Sequence, residues 1–305
     1  QMPARAHTAG VSFVEFATRG DEATALETLL QTLGFTPAGR HIAKDLSLWT
    51  QGEIRIVVNR ETTGYASSAY AMHGTTVCDV GVAVEDASAT VARATALGAH
   101  PFSQPIGPGE LDIPAIRGLN GSVLHFIDDK SGLSDVWSVE FTPDQPANTG
   151  AGLTRIDHLA QTMSYDEMLS WSLFYTTLFE MQKSPMVDVV DPDGLVRSQA
   201  LEAPSGAFRI TLNGAETHRT MAGNFLADSF GASVQHIALA SDDIFATAAA
   251  LAARGFKPLP MSENYYADLA ARFDLTPDMR TRLREGNILY DEDADGAFFQ
   301  LYSRP

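Results

Sequence analysis

A chain of 305 residues with 45% hydrophobic and 19% charged side chains is long enough for two ordinary domains and too apolar to stay disordered. A net charge of −17, with no Lys/Arg cluster to offset it, repels nucleic-acid phosphates and anionic lipid headgroups, so neither nucleic acid nor membrane is an expected partner. The lone cysteine, Cys78, excludes an intramolecular disulfide framework and a thiolate zinc site; with no bilayer-length apolar run and no signal-peptide core, the expectation is a soluble, cytoplasmic protein, and Gln1 ahead of Met2 suggests a tag remnant or an excised fragment.

Taken in chain order, Phe13-Val-Glu-Phe-Ala17 reads as a strand, followed by an amphipathic helix that closes at Gly34-Phe35 and a strand from Glu53 to Asn59. Cys78 to Val84 is a strand; Glu85-Asp86 opens an Ala-rich helix, its acidic start matched to the helix dipole, and Leu97-Gly98-Ala99 stops it. Gly121 to Ile127 is a closing strand after Ile113-Pro-Ala-Ile116. The run Phe141 to Gly152, rich in Pro, Gly, Asn and Asp, reads as a linker, with a boundary near residue 149 dividing modules 1–148 and 149–305.

The second half repeats the first. Ile156-Asp-His-Leu-Ala160 matches Phe13 to Ala17, a helix closes at Glu180-Met181, and strands follow at Val196 to Leu201 and Phe208 to Asn213. Gln235 to Asp243 and the helix ending Arg254-Gly255-Phe256 match the segment from Cys78 to Ala99; Asp86 to Gly98 and Asp243 to Gly255 are both intervals of twelve residues, offset by 157. The fold expected is α+β, two tandem βαβββ modules whose sheets curl into open barrels.

Where duplicated halves diverge in chemical type, function is the reason to look for. The alignment sets Glu15 opposite His158 and Asp79 opposite His236, bringing imidazole into the second half alone. Each histidine sits in an apolar strand, so period-two alternation gives it one defined face, and two neutral imidazoles on a common cavity can ligate one metal. A histidine in a strand is more often a hydrogen-bonded core or surface residue than a ligand, and a facial triad also needs a carboxylate.

In the first half, Gly10-Val-Ser-Phe-Val-Glu-Phe-Ala17, Leu33-Gly-Phe35, Gly39-Arg-His41, Gln51-Gly52, Asn59-Arg-Glu61 and Asp112-Ile-Pro-Ala-Ile-Arg-Gly118 carry a family pattern. The second half continues it with Ile156-Asp-His158, Ser198, Arg209-Ile-Thr-Leu-Asn213, Val234-Gln-His-Ile-Ala-Leu239, Asp242-Asp-Ile244 and Phe299-Gln-Leu301. Over nearly its whole length the chain resembles 4-hydroxyphenylpyruvate dioxygenase, of the vicinal oxygen chelate superfamily.

The resemblance implies that His158 and His236 hold Fe(II) or another divalent metal, that the first module is metal-free, and that Ser198, Asn213 and Gln300 bind the substrate, a small aromatic or cyclic carboxylic acid oxidised with O2. The plainer reading has Asn213 forming a turn with Gly214, and Ser198 and Gln300 satisfying nearby backbone. The segments Asn264-Tyr-Tyr-Ala-Asp-Leu-Ala-Ala-Arg-Phe-Asp274 and Asn287-Ile-Leu-Tyr-Asp291 resemble the C-terminal, dioxygenase-like half of bacterial two-domain 3-dehydroshikimate dehydratases still more closely. Two functions are therefore expected: an aromatic 2-oxo acid dioxygenase, or a non-catalytic accessory module of such a dehydratase. The family's third ligand is a glutamate on the strand after the Gln300 segment; the sequence stops at Pro305, and the expectation is that a C-terminal tail has been omitted. Asp157 and Glu202 are weighed as substitutes, with nothing in their spacing to favour them. Tandem modules need no dimer, though a homo-oligomer through the first half is compatible with the pattern.

His125, with Glu15 and Asp79 beside it, is read as a satisfied core histidine rather than a second metal site. The acidic run Asp291 to Gly296 lacks EF-hand spacing and reads as a solvated hairpin turn. Phe298, Phe299, Tyr265 and Tyr266 are read as strand aromatics of the core.

Overall fold

The structure is a computed structural model describing residues 2–146, 150–191, 194–294 and 296–304. β1 (Thr8–Ala17) is covered on both faces, with Phe13, Val14, Glu15 and Ala17 all buried, and Gly20–Thr32 forms α1, with Asp21 and Glu22 at its positive end. Then come β2 (Thr36–His41), β3 (Leu46–Gln51), β4 (Ile54–Asn59), α2 (Gly64–His73), β5 (Thr76–Val84) and α3 (Ala87–Ala96). Two short strands, β6 (Pro101–Phe102) and β7 (Ala115–Arg117), precede β8 (Val123–Ile127), α4 (Val136–Val139) and β9 (Phe141–Pro143). These nine strands make one sheet, ordered β6-β7-β8-β5-β1-β4-β3-β2-β9. The boundary expected near residue 149 lies outside the described residues.

The second half runs β10 (Leu153–Ser164), α5 (Tyr165–Leu178), β11 (Gln182–Lys183), β12 (Val187–Asp191), β13 (Gly194–Glu202), β14 (Arg209–Ala215), α6 (Met221–Asp228), β15 (Ser233–Ser241) and α7 (Ile244–Ala253). Ser164 and Glu167 close the start of α5 with a reciprocal capping box. Its sheet is ordered β11-β13-β14-β10-β15, with β12 on β13. The repeat is genuine in topology: β1 pairs antiparallel with β5 and parallel with β4, and β10 pairs the same way with β15 and β14. Asp86 and Asp243 both cap their helices by accepting backbone N–H groups. The fold is mixed α+β, two modules of like topology, with neither sheet closed into a barrel.

The strand registers correct the expected alignment of the two halves. Phe13 pairs with Gly81 and Glu15 with Asp79, whereas His158 pairs with Ala238 and Ala160 with His236. At the offset that relates Asp79 to His236, the counterpart of His158 is therefore Phe13, and that of Glu15 is Ala160. A shift of two residues leaves every side chain on its original face, so alternation alone cannot detect it.

One apolar cluster runs through both halves, from Phe13 and Val58 to Leu159 and Ile210. Phe126, Phe179 and Phe208 stack edge to face across the join. Gly52 (φ +56°) permits the close approach there: a Cβ would stand 2.5 Å from the Thr154 carbonyl oxygen. After α7, α8 (Glu263–Arg272), α9 (Pro277–Glu285) and a hairpin of β16 (Leu289–Asp293) with β17 (Gly296–Gln300) gather a small core of their own around Leu283 and Ile288. The acidic run expected as a turn is mostly strand, Asp291 to Asp293 ending β16 and Gly296 opening β17, with Asp295 outside the described residues. Tyr265 and Tyr266 lie on α8 rather than in a strand, and Phe298 is half exposed. No helix among the described residues is long and apolar enough to cross a membrane.

Candidate functional site

The second sheet has two chemically different faces. On one, Gln161 accepts from the Tyr175 hydroxyl (2.8 Å) and Gln199 from Ser172 (3.1 Å), so α5 covers it with buried polar pairs. Alternation turns His158 and Thr162 of β10 to the opposite face. Thr162 lies level with Asn213, and Asn213 with Ser198, which extends that face across β14 and β13. From β15, His236 joins His158 with ring centroids 5.8 Å apart and planes at 79°. Gln235, bulged out of the ladder, accepts from the Thr162 hydroxyl at 2.6 Å.

Imidazoles sharing one ion, each with nitrogen about 2.1 Å from it, keep their centroids within roughly 6.5 Å, a limit the pair meets. Burial first, and the neighbouring His158 second, push the pKa of His236 down to about 4, which keeps it neutral and able to ligate. His158 Nδ1 is 2.8 Å from Asp157 Oδ2, a carboxylate also 3.2 Å from the Arg209 guanidinium. The bond from His158, then the Arg209 charge, outweigh burial and hold Asp157 below the usual carboxylate range. Asp157 therefore fixes the His158 tautomer, proton on Nδ1 and lone pair on Nε2, rather than standing in as a ligand. Glu202 is spent on Arg209 at 2.9 Å.

Gln300 is not brought to this face by the sheet. It ends β17, is exposed, and accepts from the Tyr302 hydroxyl at 3.2 Å; the Tyr302 ring is 6.2 Å from that of His236. Sequence reasoning missed Tyr302 and Thr162 because neither belongs to a recognisable motif, and it passed over Gln235, quoted within Val234-Gln-His-Ile-Ala-Leu239, because alternation turns the neighbour of His236 to the other face and only the bulge brings it back. Among the described residues, no third His, Cys, Asp or Glu joins the pair in a three-ligand metal site. In the first half β5 is flanked by β1 and β8; in the second, β15 pairs with β10 alone among the described strands.

Residues 4–142 match the family model described as "Hydroxyphenylpyruvate dioxygenase, HPPD, N-terminal", and residues 155–299 match "Glyoxalase/Bleomycin resistance protein/Dioxygenase superfamily". A 3-dehydroshikimate dehydratase of Pseudomonas putida is 37% identical over 304 residues, which cover 99% of this chain and 48% of that protein. A 4-hydroxyphenylpyruvate dioxygenase of Pseudomonas aeruginosa is 32% identical over 304 residues, covering 97% of this chain and 84% of that protein. The solved structure of a xylose isomerase-like TIM barrel/4-hydroxyphenylpyruvate dioxygenase fusion protein superposes with a TM-score of 0.86 at 36% identity, covering 100% of this chain and 48% of that one. The chain spans about half the length of the curated dehydratases it matches.

Proposed function

We propose, from the premise that this chain belongs to the 4-hydroxyphenylpyruvate dioxygenase family, that its second half binds a divalent metal, Fe(II) in an active dioxygenase, on His158 and His236, with an aromatic 2-oxo acid as substrate. The observation that carries this reading is the convergence of two imidazoles, one kept neutral by burial and the other aimed by Asp157, on one face of the second sheet. The ion would supply a template for the chelating acid and electrons for O2.

The protein's own groups do the positioning. Asn213 and Ser198, level with each other across β14 and β13, offer short neutral hydrogen-bonding groups to the acid's oxygens, adding no charge beside the metal. Thr162 and Gln235 extend this polar row towards β15. Tyr302, with its phenol on Gln300, stands edge-on to His236 and offers an aromatic face beside the metal. The open edge of β15 is where a strand bringing the triad's carboxylate would pair, as β8 does on β5. Release of CO2 and uptake of O2 from 4-hydroxyphenylpyruvate by the ferrous-loaded, full-length gene product tests this; no turnover with metal bound would refute the dioxygenase reading.

A second reading has one observation in its favour, the 37% identity to dehydratases of about twice this length. On it, the chain is the dioxygenase-like half of a 3-dehydroshikimate dehydratase, supporting the partner half without oxidising anything. Loss of water from 3-dehydroshikimate by the full-length gene product, without O2 uptake, would select it.

A further inference from the structure

The inner face of the first sheet bounds a cavity of about 610 Å³, a size that accommodates metabolite-sized ligands. Its apolar wall is Phe13, Phe102 and Trp137, with Phe13 and Trp137 meeting edge to face at 5.4 Å. Its polar end gathers Glu15, Asp79 and His125 from three adjacent strands, all buried. Glu15 Oε1 accepts from Asn59 Nδ2 at 2.7 Å and from the Tyr65 hydroxyl at 2.5 Å, and His125 Nδ1 is 2.5 Å from Asp79 Oδ2. Each carboxylate has an oxygen left over. Glu15 Oε2 accepts no hydrogen bond among the described residues, and Asp79 Oδ1 is buried without a partner although Asp79 is only 1% exposed. Buried acceptors are seldom left unpaired, so this end of the cavity calls for a donor.

Charge says which kind. The lining holds six carboxylates against two permanent cations, Lys44 and Arg117. Lys44 is already committed to Glu110 at 3.1 Å, and Arg117 lies over the Phe102 ring and donates to the Gly121 carbonyl. His41 accepts two backbone N–H groups on Nδ1, which leaves its Nε2 proton to Glu140. A metal ion fits poorly. Phe13 occupies the register position that His158 holds in the second half, and His125 is turned to Asp79. A cation with N–H donors and an apolar body fits both ends of the cavity.

We propose that this cavity is a second binding site, separate from the histidine pair, for a small organic ammonium. Its N–H groups reach Glu15 Oε2, the charge of Asp79 behind it adds to the attraction, and its apolar body lies against Phe13, Phe102 and Trp137. Burial and the neighbouring Asp79 push the Glu15 pKa up to about 7, so an ammonium that supplies compensating charge displaces whatever proton the empty cavity holds there.

The test is calorimetric titration of the whole chain with 2-phenylethylammonium as probe and the neutral 2-phenylethanol as control. The expected result is one saturable site that prefers the amine by about tenfold or more and is weakened about tenfold by Asp79→Asn or Glu15→Gln. His158→Ala should leave it unchanged, so failure here and failure of the metal-site reading are distinguishable. Circular dichroism establishes that each variant is folded; if Asp79→Asn is not, Glu15→Gln decides alone. Absence of saturable binding, equal binding of the alcohol, or indifference of a folded Glu15→Gln variant overturns the proposal. So does stoichiometric Zn2+ binding that persists without His158 and His236 and is lost in Glu15→Gln, which would make the site a metal site.

Discussion

At the scale of single residues, Glu15 in the first half and Asp157 in the second are shifted in opposite directions. Glu15 is raised to about 7 by burial first and Asp79 second, and faces Asp79 and Cys78 from β5, His125 from β8, Tyr65 from α2 and Asn59 from β4. For His125, burial opposes the charged form, but Asp79 outweighs it and raises the pKa. Both folded values exceed the unfolded ones, so both groups contribute stability that is present at low pH and lost as pH rises through the folded value. With a value near 7, Glu15 alone should remove about 1.4 kcal/mol between pH 6 and 8. Urea unfolding followed by tryptophan fluorescence should show that fall, and Glu15→Gln should flatten it; an equal slope in the variant would count against the assignment. Asp157, by contrast, is held low by what it does for His158. Asp157→Asn should cost roughly 10- to 100-fold in divalent-metal affinity, with little change in thermal midpoint, because the ring loses its orienting partner. Equal affinity in a metal titration would show that His158 needs no clamp.

Elements show why part of the molecule was legible and part was not. The β5–α3 and β15–α7 units were readable because strand alternation, an aspartate cap and a glycine stop occur together at equal spacing, and each signal constrains the same backbone. The β1/β10 correspondence slipped by two residues because alternation repeats every two residues and no turn pinned the register. The histidine pair survived the slip, since only its face matters for meeting across β10 and β15; the assignment of Glu15 as the counterpart of His158 did not. The α8–α9–hairpin unit was opaque as structure because its contacts join residues far apart in sequence, such as Tyr265 with the Tyr290 backbone. Its small core around the fully buried Leu283 makes a testable unit. Leu283→Ala should cost about 2–4 kcal/mol locally. Hydrogen exchange should then accelerate in residues 263–300 while β1, β4 and β10 stay protected; uniform acceleration would mean that this unit is part of the main core.

Across the whole molecule, two sheets with separate strand sets share one apolar cluster, and this decides how the chain unfolds. The join is polar as well as apolar. Gln51, 3% exposed, accepts from the Ala151 N–H at 2.6 Å and the Leu153 N–H at 3.3 Å and donates to the Leu33 carbonyl at 2.9 Å. A single side chain thus ties the end of α1 in the first half to the entry of β10 in the second. Gln51→Leu keeps the volume but strips three backbone groups of their partner, at a cost of about 1–3 kcal/mol for each one left unsatisfied. Were the halves independent, two transitions would be resolved in the wild type and in the variant alike. Because the cluster is continuous, the expected result is one cooperative transition in both proteins, moved to lower denaturant by at least 2 kcal/mol, roughly, in the variant. Calorimetry of the wild type resolving two transitions would overturn the single-core account, and the Gln51 bridge would then be only a tether between separately folding halves.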